Sequence, residues 1–162
     1  MEWSEVDASA CSVTRTMDLL GDRWTVLVLR DIFNGVRRFA DIQTHLGVSR
    51  SVLSQRLRDL LAAGVLERRE YQEPGERARH EYRLSAMGRD LQVILQALMN
   101  YGDRWLTDAQ PVLVVRHRGC DAAVRAATVC EAGHVVEEPR DLYRAPGPHY
   151  DELSVGVVAA RG

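Results

Sequence analysis

The chain contains no lysine; all 21 of its basic Lys+Arg residues are arginine, and we attach no mechanism to that bias. No apolar run reaches the roughly 18–20 residues that a membrane span needs. The start, Met-Glu-Trp-Ser-Glu, lacks the basic and apolar regions of a signal peptide. The expected location is therefore the cytoplasm, where the three cysteines stay reduced. There is no glycine-rich phosphate loop and no His-Glu-x-x-His pattern. Asp, Glu and His are scattered without a spacing that pairs them for acid–base work. An enzyme is not expected. Nor is there a surplus of positive charge, since the net charge is −2. Nucleic-acid binding, if present, has to come from how charge is distributed.

What is present is an apolar fraction of 46% in 162 residues, enough for one cored domain with room for an appendage. The pattern is clearest from Arg38 to Leu84. Phe39, Ile42 and Leu46 share a face of a short helix that Gly47 ends. Ser49 is a suitable N-cap for a second helix. That helix carries Leu53, Leu57, Leu60 and Leu61 on one stripe. Ser51, Gln55, Arg58 and Ala62 lie on the other side, with Arg50 and Ser54 near its start. Arginine offers a fork to guanine, glutamine pairs with adenine, and serine adapts to either. Two helices joined by a tight Gly-Val-Ser turn read as a helix-turn-helix, whose second helix enters the major groove. After Gly64, residues 65–71 and 80–84 read as two strands around a turn bearing Arg77 and Arg79, which makes a winged helix. The plainer alternative is a helical hairpin with a solvated polar face. From Arg37 to Arg83 there are 10 Arg against 7 acidic residues, +3 locally. Such a mild excess implies a few placed arginines.

Upstream, Val13, Met17 and Leu20 mark a helix from about Cys11, and Asp22 is a plausible N-cap for the nearly all-apolar stretch from Trp24 to Phe33. Asn34-Gly35 closes that helix. Downstream, Ser85 opens a long helix to about Leu106, with Gly88 weakening its start without stopping it. Leu91, Ile94, Leu95, Leu98, Met99, Gly102 and Trp105 recur at three- and four-residue steps. Such a stripe packs either on its own domain or on a second copy. The second reading gives a homodimer with two recognition helices about 34 Å apart on a pseudo-palindromic operator. Leu91, Leu95, Leu98, Met99, Gly102 and Trp105 are its candidate residues.

The expected organisation is a frayed segment over 1–10, a winged helix-turn-helix and dimerisation domain over 11–107, and a small β-rich appendage over 112–162. The fold class is mostly α with a small β-wing. Short β-prone runs at 112–115, 124–129 and 155–158 mark the appendage. About 50 residues bury only a modest core, so docking, a metal or partial disorder is required. His117-x2-Cys120 and Cys130-x3-His134 offer two closely spaced ligand pairs of the kind that hold tetrahedral zinc. The plainer alternative is two thiols and surface histidines. Cys11, at a helix start, is placed where a thiolate is favoured; otherwise it is a small buried hydrophobe.

Several stretches together resemble a known family. They are Cys11-Ser-Val, Leu20-Gly-Asp-Arg-Trp-Thr25, Gly35-Val-Arg-Arg-Phe39, Leu53-Ser-Gln-Arg-Leu-Arg-Asp-Leu60, Gly64-Val-Leu-Glu-Arg-Arg69 and Glu81-Tyr-Arg-Leu84. The chain is similar, from about Cys11 to Trp105, to the HxlR-type branch of winged helix-turn-helix regulators, related to the MarR family. The wing is longer than the usual pattern. The resemblance implies a DNA-binding homodimer controlling transcription, more often by repression. It implies that a cysteine at the position of Cys11 senses oxidants or electrophiles. It also implies a zinc-ribbon-like tail, in which Gly133 here stands at the last cysteine position and His134 is the available substitute.

The expected partners are double-stranded DNA, a second copy and a small-molecule effector, with no membrane. Contacts are expected from Arg37, Arg38, Ser49, Arg50, Ser51, Ser54, Gln55, Arg58, Arg77 and Arg79. An effector crevice would draw on Trp24, Met99, Trp105 and Leu106. The alternative function is a ligand-sensing or protein-interaction module that uses the winged helix without reading DNA sequence.

Overall fold

A computed structural model of the chain describes residues 6–148 and 150, apart from 73, 74 and 76. The expected strand run at 155–158 and residues 1–5 of the N-terminal segment lie outside the described residues. After a single 3-10 turn over Ala8–Ala10, capped by Asp7, come helices α1 (Ser12–Leu20), α2 (Arg23–Phe33), α3 (Phe39–Leu46) and α4 (Arg50–Ala62). Strands β1 (Leu66–Tyr71) and β2 (Arg79–Leu84) follow. Then come α5 (Ala86–Asp90), α6 (Gln92–Trp105) and a two-residue strand pair, β3 (Thr128–Val129) with β4 (Val135–Val136).

The ends of these helices follow from local chemistry. Asp22 accepts from the N–H groups of Trp24 and Thr25 and starts α2. Gly47 ends α3 in the left-handed region, φ 62°, which costs a glycine little. Two residues later Ser49 Oγ accepts from Val52 N and starts α4. The core collects Val28, Leu29 and Ile32 from α2, Ile42 from α3, Leu53, Leu57 and Leu60 from α4, and Val65, Leu66 and Tyr82 from the wing base. Helix α2 touches α1, α3, α4, α6 and β2, so the most apolar helix is the hub.

The wing is a two-stranded antiparallel ladder running from Leu66 opposite Leu84 to Tyr71 opposite Arg79. A third piece of backbone joins it. Tyr82 N donates to Arg37 O at 2.8 Å and Arg38 bridges Glu81, tying the lead-in to α3 to the wing.

The stretch after Ser85 corrects the sequence-based expectation of one long helix. It divides at Leu91, where the N–H turns to the carbonyls of Arg89 and Gly88. The cause is Gly88. It is buried so close to the Val65 backbone that an added Cβ would collide with the Val65 carbonyl. Helix α5 is held down at that contact, and Ser85 Oγ adds a 2.6 Å bond to Gly64 O. Helix α6 resumes at Gln92, and Leu91 between the two helices stays in the right-handed helical region.

Candidate nucleic-acid interface

Burial of Leu53, Leu57 and Leu60 leaves Ser51, Gln55, Arg58 and Asp59 as the exposed flank of α4. Ser49 and Arg50 are exposed at its start, and Ser54 is half-buried. The Ser49 and Ser51 hydroxyls lie 3.1 Å apart. Arg50 folds back over the ring of Phe39, 5.1 Å from its centroid, so its guanidinium is held at the turn between the two motif helices. Gln55 and Arg58 are hydrogen-bonded to each other at 2.6 Å. Sequence reasoning missed Asp59 on this flank, because spacing alone does not show that an acidic residue is tied to a glutamine.

Arg37 is half-buried and Arg38 is exposed on the backbone segment fastened to β2. The Arg38 guanidinium sits 4.5 Å from the centroid of the Tyr71 ring at the end of β1. Arg77 and Arg79 are both exposed at the wing tip. The helix flank, the α3 lead-in and the wing thus carry arginine on three adjoining pieces of backbone.

The α6 stripe expected from spacing is divided. Leu91 and Leu95 pack against the domain's own core. Met99 and Gly102 are half-buried. Leu98 and Trp105 are 52% and 63% exposed, and Tyr101 beside them is 60% exposed. Val13 and Met17 of α1 are exposed as well. The other side of α6 holds the appendage: Gln96 Nε2 donates to Val124 O at 3.2 Å, and Asn100 Oδ1 accepts from Ala126 N at 2.8 Å. That amide clamp had no signal in periodicity, since polar residues on an amphipathic helix read as solvated. Among the effector-crevice candidates, Trp24 and Met99 are half-buried, whereas Trp105 and Leu106 are exposed.

Cys11 occupies the N-cap position of α1 with a free thiol. It makes no full capping hydrogen bond. The N–H groups of Thr14 and then Val13 nevertheless favour the thiolate and hold the thiol below its ordinary range. In the appendage His117 Nδ1 lies 3.3 Å from Cys120 Sγ. Cys130 and His134 face each other across a separate turn, with Cys130 N bonded to His134 O at 3.0 Å. Among the described residues no three His, Cys, Asp or Glu side chains are grouped to hold a metal ion. The His117–Cys120 pair supplies two donors of the four that a structural zinc requires, so as arranged the set does not fit that ion.

Among the described residues no helix is long and apolar enough to cross a membrane. Residues 19–110 match the profile of the HxlR-like helix-turn-helix family. The chain is 40% identical over 142 residues to the HTH-type transcriptional regulator Rv3095 of Mycobacterium tuberculosis, covering 86% of this chain and 87% of that one. Its fold is similar to the crystal structure of PA1607, described as a candidate transcription factor. That similarity has a TM-score of 0.73, with 27% identity over 86% of this chain and 97% of the other. It is also similar to the redox regulator HypR in its oxidised form, with a TM-score of 0.51 and 25% identity over 58% of this chain and 96% of that one.

Proposed function

The chain belongs to the HxlR-like helix-turn-helix family and is a helix-turn-helix transcriptional regulator; on that premise we propose that it represses transcription as a homodimer on a pseudo-palindromic operator, from which an oxidant, electrophile or small-molecule effector releases it. One observation carries the DNA reading. The flank of α4 opposite the buried Leu53, Leu57 and Leu60 is solvent-facing and bears Ser51, Gln55 and Arg58. Side chains of this chemistry on an outward helix read base edges. Arg37, Arg38, Arg77 and Arg79 flank it and are assigned to phosphate or minor-groove contacts. The homodimer is supported by Leu98, Tyr101 and Trp105, a run of exposed apolar residues on α6 that water-facing helices rarely present. Repression rests on the family resemblance. The redox branch of the signal is supported by the thiolate-favouring cap at Cys11 and by the likeness to a redox regulator. We place its action in the cytoplasm and assign it no zinc.

The test is titration of the purified protein against the duplex immediately upstream of its coding region at several salt concentrations. Counterion release makes the logarithm of the affinity fall linearly with the logarithm of salt, by about 0.9 per phosphate neutralised. A steep slope with preference for an inverted repeat is expected. Salt-independent binding, or none, would favour a protein-interaction module.

A further inference from the structure

The exposed flank of α4 is a connected network of side chains. Gln55 Nε2 donates to Asp59 Oδ1 at 2.7 Å, and Arg58 Nη2 donates to Gln55 Oε1 at 2.6 Å. Asp59 turns its second oxygen toward Arg56 Nη2 at 3.7 Å. Arg56 Nε lies 3.9 Å from Asp22 Oδ1, the group that caps α2. On the other side Arg58 Nε donates to the Ser54 carbonyl at 3.3 Å. The chain of contacts therefore runs from the start of the hub helix, through Arg56 and Asp59, to the amide of Gln55.

A glutamine amide has two N–H donors and two lone pairs on its oxygen. The network takes one of each. One donor and one acceptor remain, and these are what a glutamine needs to meet adenine N7 and N6 together. A free amide can turn over about its last torsion and exchange donor for acceptor. In this setting the turned amide would aim its NH2 at the Arg58 guanidinium and its oxygen at the Asp59 carboxylate. Two charge-assisted bonds would become two repulsive contacts.

We propose that Asp59 is a positioning residue for DNA reading. With Arg58 on the opposite side, it locks the Gln55 amide in one orientation, so that Gln55 selects adenine at its base pair. This rests on the reading of α4 as the groove helix. Asp59 also carries negative charge onto a flank that approaches phosphate, so it trades general affinity for discrimination.

The experiment begins with selection of binding sites from random duplexes by the full-length protein. Binding of each base at each position is then compared by fluorescence anisotropy, with circular dichroism confirming that each variant is folded. Gln55→Ala is expected to lower discrimination about five- to hundredfold at one base pair. Asp59→Ala should lower it about two- to tenfold at that same base pair, and have no further effect on it when Gln55 is already Ala. Asp59→Asn keeps an acceptor oxygen for Gln55 Nε2 and should restore most of the discrimination, while still binding unrelated duplexes more tightly than the wild type. If Asp59→Ala leaves the Gln55-dependent base pair as selective as before, or adds its loss to that of Gln55→Ala, the positioning role is wrong and the groove reading stands. If Gln55→Ala alters discrimination at no base pair, the groove reading fails and the positioning role falls with it.

Discussion

His45 Nδ1 lies 2.7 Å from Asp31 Oδ2, and the Asp31 side chain is 1% exposed. The buried carboxylate, near the end of α2, holds the last turn of α3, while its other oxygen takes Arg30 Nη2 at 2.7 Å. The pair fastens the first motif helix to the hub.

His45→Ala should leave Asp31 Oδ2 buried without its partner. The expected loss is about 1–3 kcal/mol of unfolding free energy, toward the lower end because the histidine itself is more than half exposed. Urea denaturation should show a lower midpoint with an unchanged slope. An unchanged midpoint would mean that water replaces the imidazole at no cost.

Gly88 supplies a prediction opposite in sign to helix propensity. Alanine is favoured over glycine inside a helix by about 1 kcal/mol. Here the new Cβ meets the Val65 carbonyl, and overpacking of this kind costs about 1–3 kcal/mol or more. Gly88→Ala should therefore lower the melting temperature. A raised one would contradict the close approach of α5 to the wing base.

These two contacts show where legibility in the sequence ends. Asp22, Ser49 and Ser85 were readable as N-caps because each side chain accepts from N–H groups two or three residues on, and Gly47 as a C-cap because its own N–H reaches back four residues to the Gln43 carbonyl. The apolar face of α4 and the wing pairing were readable from periodicity for the same reason. The close approach of Gly88 to the Val65 backbone was not, because that contact lies outside its own helix. The split of the α6 stripe was missed because spacing puts Leu95 and Leu98 on one face, while tertiary packing half-buries the first against the core and exposes the second. On the candidate interface, the residue types were legible and their mutual bonds were not.

Cys11 should react as a thiolate at lower pH than an ordinary cysteine. Its N-cap surroundings lower the folded-state value, so the reactive form is populated below the usual thiol range of about 8.5 and lost only on further acidification. Alkylation of Cys11, followed by mass spectrometry across pH, should show a rate midpoint below that of a cysteine in an unfolded peptide of the same sequence. Coincident midpoints would remove the support for sensing at this position.

The appendage should be found without bound metal. His117 and Cys120 form a pair, no three such ligands are grouped among the described residues, and two donors hold zinc far less firmly than four. Protein purified without supplementation should contain less than about a tenth of an equivalent of zinc, and a chelator should leave its melting temperature unchanged. A full equivalent would show that Cys130 and His134 close onto the first pair.

The central claim is that the outward flank of α4 enters the major groove and is presented twice by a symmetric pair. Hydroxyl-radical footprinting on a selected duplex tests it most directly. The account predicts two protected half-sites with centres about 34 Å apart along the duplex, one helical turn, both lost together in a Ser51→Ala, Gln55→Ala, Arg58→Ala variant that remains folded. A single protected half-site, or two that survive this triple change, would contradict it.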